Sequence, residues 1–162
     1  MSEIKAEMSR SDVEATRQRT LDLAGMYQTL LGQGRFDEWI ALWHDDAILE
    51  FPYVPAGRTS SYRGKEAILA YMKAASGRIA TDAVDELRVH EAADPHMLVV
   101  ELATRGHLVG SGAPYDQRYV CVFELREGLL WRYREYWNPL VSIDAHGGLD
   151  EWLASYPAAN VS

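Results

Sequence analysis

At Ala83 the hydrophobic period of the chain changes from helical to two, and this one change restricts the fold more than any other feature. Downstream of it, Val84 to Glu91, Met97 to Val109, Tyr115 to Leu125 and Leu129 to Trp137 read as strands, rich in β-branched and aromatic residues. Between them stand Ala92-Ala-Asp-Pro95, Gly110-Ser-Gly-Ala-Pro114 and Arg126-Glu-Gly128, each short enough for an antiparallel hairpin. Helices first and a meander afterwards imply an α+β fold. A curved, mostly antiparallel sheet wraps around the helices and leaves one end open.

Upstream, Ser11-Asp12-Val13-Glu14 has the spacing of a capping box, and Leu23, Ala24, Tyr27, Leu30 and Leu31 repeat at helical intervals until Gly32 and Gly34. This predicts a long amphipathic first helix. Phe36, Trp39, Ile40 and Trp43 mark a short second helix, and Ala47 to Phe51 a strand. Pro52 to Arg63 reads as a loop placed to lie over a pocket mouth, and Gly64-Lys65 opens a third helix with Ile68, Leu69 and Met72 on one side. Beyond the last strand, Leu149, Trp152 and Leu153 predict a short helix near the open end. Residues 1–10 read as a flexible segment at the start of a single domain spanning 1–162.

With 162 residues, 48% of them hydrophobic and 25% charged, the chain can bury a core without disulfides or a structural metal. A net charge of -8 argues against a nucleic-acid partner. No apolar run reaches membrane-span length, so no membrane partner is expected. The start Met1-Ser-Glu-Ile-Lys-Ala-Glu has no signal-peptide core, and the expected location is cytoplasmic. Cys121 falls in an alternating apolar segment and reads as a small core residue. His44, His90, His96, His107 and His146 are scattered without metal-site spacing, and Gly110-Ser-Gly112 is too short for a dinucleotide fingerprint. Neither a metal nor a cofactor is expected, which leaves the chemistry to ordinary side chains.

The last strand offers such a side chain. Trp131, Tyr133, Glu135 and Trp137 fall on one face, and Arg132, Arg134, Tyr136 and Asn138 on the other. The arginines need water, which turns Glu135 inward. Burial raises the pKa of a carboxyl in an apolar wall, making it a candidate acid or base. The alternative is a structural glutamate paired across the sheet with an arginine such as Arg118. On the neighbouring strand Gln117, Tyr119, Cys121 and Phe123 share a face, and Gln117 with Tyr119 suits a pocket entrance. Tyr71 either donates a hydrogen bond inward or packs. Asp46, where helix hands over to strand, either bonds turn amides or joins the site. Arg105 and His107 share a strand face that is either exposed or open to an anion.

The order of elements resembles the nuclear transport factor 2-like superfamily, a cystatin-like cone. That superfamily includes SnoaL-like polyketide cyclases, steroid isomerases, dehydratases and non-enzymatic adaptors. Tyr62-Arg-Gly-Lys65, Asp94-Pro95 with Val100-Glu101, and Phe123-Glu-Leu125, Gly128 and Arg132-Tyr-Arg-Glu-Tyr-Trp-Asn138 are most similar to motifs of the phenazine-biosynthesis A/B proteins. The resemblance implies a sheet wrapped around three N-terminal helices, with Glu135 as the general acid/base. Asp46 is the counterpart of an aspartate before the first strand. Tyr71 stands where the phenazine proteins use histidine, and Phe51 where the steroid isomerases place their aspartate. The implied function is an enzyme of secondary metabolism that moves protons on a carbonyl-containing cyclic substrate, as a cyclase, isomerase or dehydratase. The expected catalytic residues are Glu135, Tyr71 and Asp46, and a hydrophobic or aromatic substrate would meet Trp131, Tyr133, Trp137, Gln117, Tyr119, Trp43 and Phe51. A homodimer is expected through the outer sheet face, where Val120, Val122 and Tyr136 are apolar. The same cone also allows a ligand-binding or adaptor protein without turnover.

Overall fold

A computed structural model describes residues 8–158. Of the segment expected to be flexible, residues 1–7 lie outside the described residues, and helix α1 (Arg10–Gly32) already begins at its last position. Ser9, not Ser11, caps α1, its Oγ accepting from the Asp12 amide at 3.2 Å. Two serines two residues apart compete for one role, and the winning frame puts Asp12 in the first turn, where a negative charge is favourable.

Helix α2 (Phe36–Trp39) tightens into a 3₁₀ turn at Ile40–Leu42, and strand β1 (Trp43–Glu50) begins earlier than the hydrophobic period predicts. The following loop carries a short strand, β2 (Ser61–Arg63), before α3 (Lys65–Ser76). The meander is β3 (Ile79–Glu91), β4 (Met97–Leu108), β5 (Gln117–Arg126) and β6 (Leu129–Trp137). Two short helices follow, α4 (Pro139–Ala145) and α5 (Leu149–Ala154). The expected tail helix is α5. Helix α4 is started by Asn138, whose Oδ1 accepts from the Leu140 amide at 3.0 Å, and by Pro139 in its first turn.

The six strands form one open sheet in the order β2-β1-β6-β5-β4-β3. All neighbours are antiparallel except β1 and β6, which run parallel because the whole meander separates them in the chain. Register shifts at Thr81/Ala83 and Val84/Glu86 in β3 and at Glu124/Leu125 in β5 bend the sheet over its concave face. At the first of these, a Cβ on Gly106 would lie 2.3 Å from the Ala80 carbonyl oxygen, so the close approach of β3 and β4 needs a glycine.

Helix α1 lays Leu23, Ala24 and Tyr27 on the concave face, where aromatic rings form the floor of the cone. Tyr27 lies 5.4 Å from Trp39, 5.3 Å from Phe123 and 5.0 Å from Tyr133, ring centre to ring centre. Trp43 belongs to this floor, 5.2 Å from Trp39 and fully buried. Edge and stacked contacts of this kind contribute about 0.5–1.5 kcal/mol each beyond area burial. The outer face is ionic. Arg132 holds Glu50, Arg134 holds Glu124, Arg105 holds Asp85 and Arg118 holds Glu86. The two arginines of β6 are thus neutralised by carboxylates as well as wetted, and Glu135 is left on the inner face.

Candidate active site

Glu135 sits one row above the aromatic floor. The antiparallel register sets it opposite Cys121, with Tyr133 opposite Phe123 below and Trp137 opposite Tyr119 above. Its Oε2 accepts a hydrogen bond from the Tyr133 hydroxyl at 3.0 Å. Burial among these rings pushes the carboxyl up to about 7, and the Tyr133 bond, which favours the charged form, opposes that rise. No ion pair reaches Glu135 among the described residues; Arg118 points outward to Glu86. The purely structural reading, a glutamate paired with that arginine, does not hold.

Around the carboxyl stand phenols. Tyr71 of α3 stacks on Tyr62 at 4.3 Å and lies 5.1 Å from Phe51, which in turn meets the Trp137 ring at 6.0 Å. Burial raises the pKa of Tyr71 and of Tyr119, and the Glu135 charge raises both further. These hydroxyls stay protonated and can donate to a carbonyl oxygen. The tail adds Tyr156, edge-on to Trp152 at 5.6 Å, its hydroxyl pushed up to about 12 by burial, with smaller contributions that include the Glu135 charge. Trp137 is held by its Nε1, which donates to Ser142 Oγ at 3.1 Å.

The expected site residues therefore divide. Glu135, Tyr71, Tyr119, Tyr133, Trp137 and Phe51 converge on one chamber. Asp46 does not: its side chain is 80% exposed and faces Arg126 at 3.4 Å, bonding neither turn amides nor substrate. Trp131 is displaced by the register shift between β5 and β6, which puts Leu130 inside and leaves Trp131 under the Arg126 guanidinium at 5.0 Å. Trp43 is floor and has no surface to offer a ligand. Gln117 is buried, but its oxygen accepts from the Arg118 and Asn138 amides and its nitrogen donates to the Asn138 carbonyl, so it clips the end of β6. Arg105 and His107 are engaged by Asp85 and Asp82 on the surface. Tyr62 and Tyr156 are additions from the structure. Tyr62 was visible only as part of the motif opening α3, and Tyr156 carried no periodic signal.

A cleft of about 390 Å³ lies on the outer face of the sheet, lined by Glu86, Arg88, Arg118 and Tyr136 and also touched by Leu102, Tyr119 and Trp137, and Glu135 does not line it. Glu135, Tyr71, Tyr119 and Leu102 are half-buried, whereas Tyr133 is 2% and Phe123 0% exposed. The loop after β1 and the tail meet over the end of the cone, where the Thr59 amide donates to the Pro157 carbonyl at 3.1 Å and Arg58 Nη1 to the Tyr156 carbonyl at 3.2 Å. Among the described residues no three His, Cys, Asp or Glu side chains converge as metal ligands, and no helix is long and apolar enough to cross a membrane.

A family model described as the SnoaL-like domain matches residues 23–133. The chain is 40% identical over 110 residues to the uncharacterised protein YesE of Bacillus subtilis, covering 68% of this chain and 75% of that one. It is 34% identical over 121 residues to a PhzA/B-like protein of Pseudomonas aeruginosa, covering 75% and 85%. Among solved structures, that of a candidate isomerase from Bacillus subtilis superposes with a TM-score of 0.76 at 33% identity over 83% of this chain and 96% of that chain.

Proposed function

Because this chain belongs to the SnoaL-like domain family, we propose that it catalyses proton transfer next to the carbonyl of an uncharged cyclic substrate, as a cyclase or isomerase, without a cofactor. The observation that carries this reading is Glu135: a half-buried, ion-unpaired carboxyl raised to about 7, with protonated phenols around it. As carboxylate it removes a proton from the carbon beside the carbonyl. The electron pair moves to the carbonyl oxygen, where a hydroxyl of Tyr71 or Tyr119 donates to the developing enolate. As carboxylic acid, Glu135 then returns the proton to a different carbon of the same system. Trp137, Phe51 and Tyr119 supply the apolar walls that keep the carboxyl dry. Tyr133 holds its orientation.

The test is deuterium exchange into 2-tetralone, followed by NMR. Exchange by the wild type rises through an inflection near pH 7, and Glu135→Gln lowers it by about a hundredfold or more while 2-tetralone still binds. A ligand-carrying protein would bind 2-tetralone equally well in both forms and accelerate exchange in neither.

A further inference from the structure

Glu135 faces the inside of the cone and does not line the outer cleft, so a molecule reaches it through the mouth of the cone. The chain's own tail lies there. Four consecutive carbonyls accept hydrogen bonds from the body of the cone: Ser155 from Arg78 Nη1 at 3.4 Å, Tyr156 from Arg58 Nη1 at 3.2 Å, Pro157 from the Thr59 amide at 3.1 Å and Ala158 from Thr59 Oγ1 at 3.1 Å. Tyr156 packs against the aromatic core, and burial raises its pKa, with a smaller contribution from the Glu135 charge. The link to the rest of the chain is built to turn. Gly147 (φ 88°) and Gly148 (φ 145°) separate α4 from α5, both in a region that side chains disfavour. The Gly148 amide donates to the Ile143 carbonyl at 3.0 Å, so α4 closes on itself and needs nothing from α5. Helix α5 seats Trp152 at 4% exposure but leaves Leu149 54% exposed, and the buried Trp152 Nε1 has no hydrogen-bond partner. A donor left unbonded weighs against the seated position, because water would satisfy it in a displaced one.

We propose that residues 149–158 form a lid over the cone, hinged at Gly148 and latched by Arg58, Thr59 and Arg78, with Tyr156 as its plug, and that Glu135 is reached when this lid swings away. The latch holds main-chain carbonyls near the surface, where water replaces its donors readily, so the segment releases as a unit. The lid deepens the functional reading and rests on it only for what the gate serves.

The experiment fixes the lid covalently. Arg58 and Ala158 stand opposite each other in an antiparallel bridge, and the Thr59–Pro157 bond makes them its close, non-hydrogen-bonded pair, with Cα atoms about 4.5 Å apart and within disulfide reach. Arg58→Cys with Ala158→Cys supplies the bridge, and Cys121, 1% exposed, stays out of it. The oxidised form and the reduced, alkylated form are treated with dicyclohexylcarbodiimide at about pH 6, where Glu135 holds its proton, and its labelling is followed by peptide mass spectrometry. Labelling of Glu135 should be at least about tenfold slower in the oxidised form. Arg58→Ala with Arg78→Ala, which removes two donors of the latch and leaves the core intact, should label about tenfold faster than the wild type at an unchanged urea midpoint. Equal labelling of the two forms, labelling of neither, or an unchanged rate in the arginine variant would overturn the lid. Labelling measures access rather than turnover. A protein that passes here and fails the 2-tetralone exchange test loses the functional reading alone, and the converse result removes the lid alone.

Discussion

Replacing Glu135 by glutamine should stabilise the protein at alkaline pH and change it little at acid pH. In the unfolded chain the carboxyl titrates near the ordinary 4.5, whereas in the fold burial raises it to about 7. Below the lower value both states hold the proton, and the group carries no charge to bury. As pH rises between the two, the unfolded chain releases its proton first, and stability falls. Above about 7 both states are ionised, and the full cost of keeping a carboxylate in the chamber stands. With each tenfold change in proton affinity worth about 1.4 kcal/mol, that cost is roughly 3 kcal/mol. Glutamine keeps an oxygen to accept from Tyr133 and has no charge to desolvate; burying its amide adds a penalty that does not vary with pH. Urea denaturation of both proteins at about pH 5 and about pH 8.5 isolates the difference. The gap between variant and wild type should move toward the variant by roughly 2.5 kcal/mol across that range, since pH 5 already lies above the unfolded value, or about 2–4 °C in Tm per kcal/mol for a chain of this size. Two stability curves that stay parallel across the range would refute the buried-carboxyl argument.

The Tyr133→Phe variant removes the one hydroxyl that favours ionised Glu135, so the carboxyl should titrate above about 7, visible in its infrared stretch and in the pH profile of 2-tetralone exchange. An unmoved titration would show that this bond does not tune the acid. Gln117→Ala leaves the Arg118 and Asn138 amides without their acceptor, which should cost about 2–4 kcal/mol in urea denaturation while the Glu135 titration stays in place. A shift in that titration would mean Gln117 belongs to the site. We also propose a homodimer through the outer face around Val120 and Tyr136, which light scattering at micromolar concentration checks directly. A monomeric mass would refute it.

The alternation of the last strand correctly placed Tyr133, Glu135 and Trp137 on the inner face, and β6 has the bounds that its pattern implies. It failed at Trp131, because a register shift exchanges inside for outside at one residue and leaves no mark in residue types. Trp43 was ambiguous for a related reason: Trp39 and Trp43 are spaced as on a helix, yet the chain passes through a 3₁₀ turn between them and Trp43 opens a strand. Asp46 could be located but not oriented, since nothing local says which face of β1 looks into the cone. The parallel pairing of β1 with β6 decides that, and it joins segments about eighty residues apart. Helical coverage is equally non-local. The alternation of β3 shows Leu87 and Val89 facing inward, but only the packed structure shows that no helix covers them.

The acid strength of Glu135 follows from its neighbours on the sheet. Glu135 lies between Tyr133 and Trp137, which are 2% and 6% exposed, and two such neighbours on one strand would ordinarily bury the residue between them. It stays half-buried, although its own row continues with Cys121 and Val100, which are 1% and 2% exposed, and the rows on either side carry Phe123 and Tyr119 on β5. Cys121 is part of the core beneath it, and burial raises the pKa of its thiol. The same arrangement sets the acid strength. One row lower, among Tyr27, Phe123 and Tyr133, a carboxyl would meet rings on every side and hold its proton at any working pH. At its own row burial raises it and the Tyr133 hydroxyl pulls it back; the balance of these two effects is a half-buried group that titrates near neutrality, as proton shuttling requires.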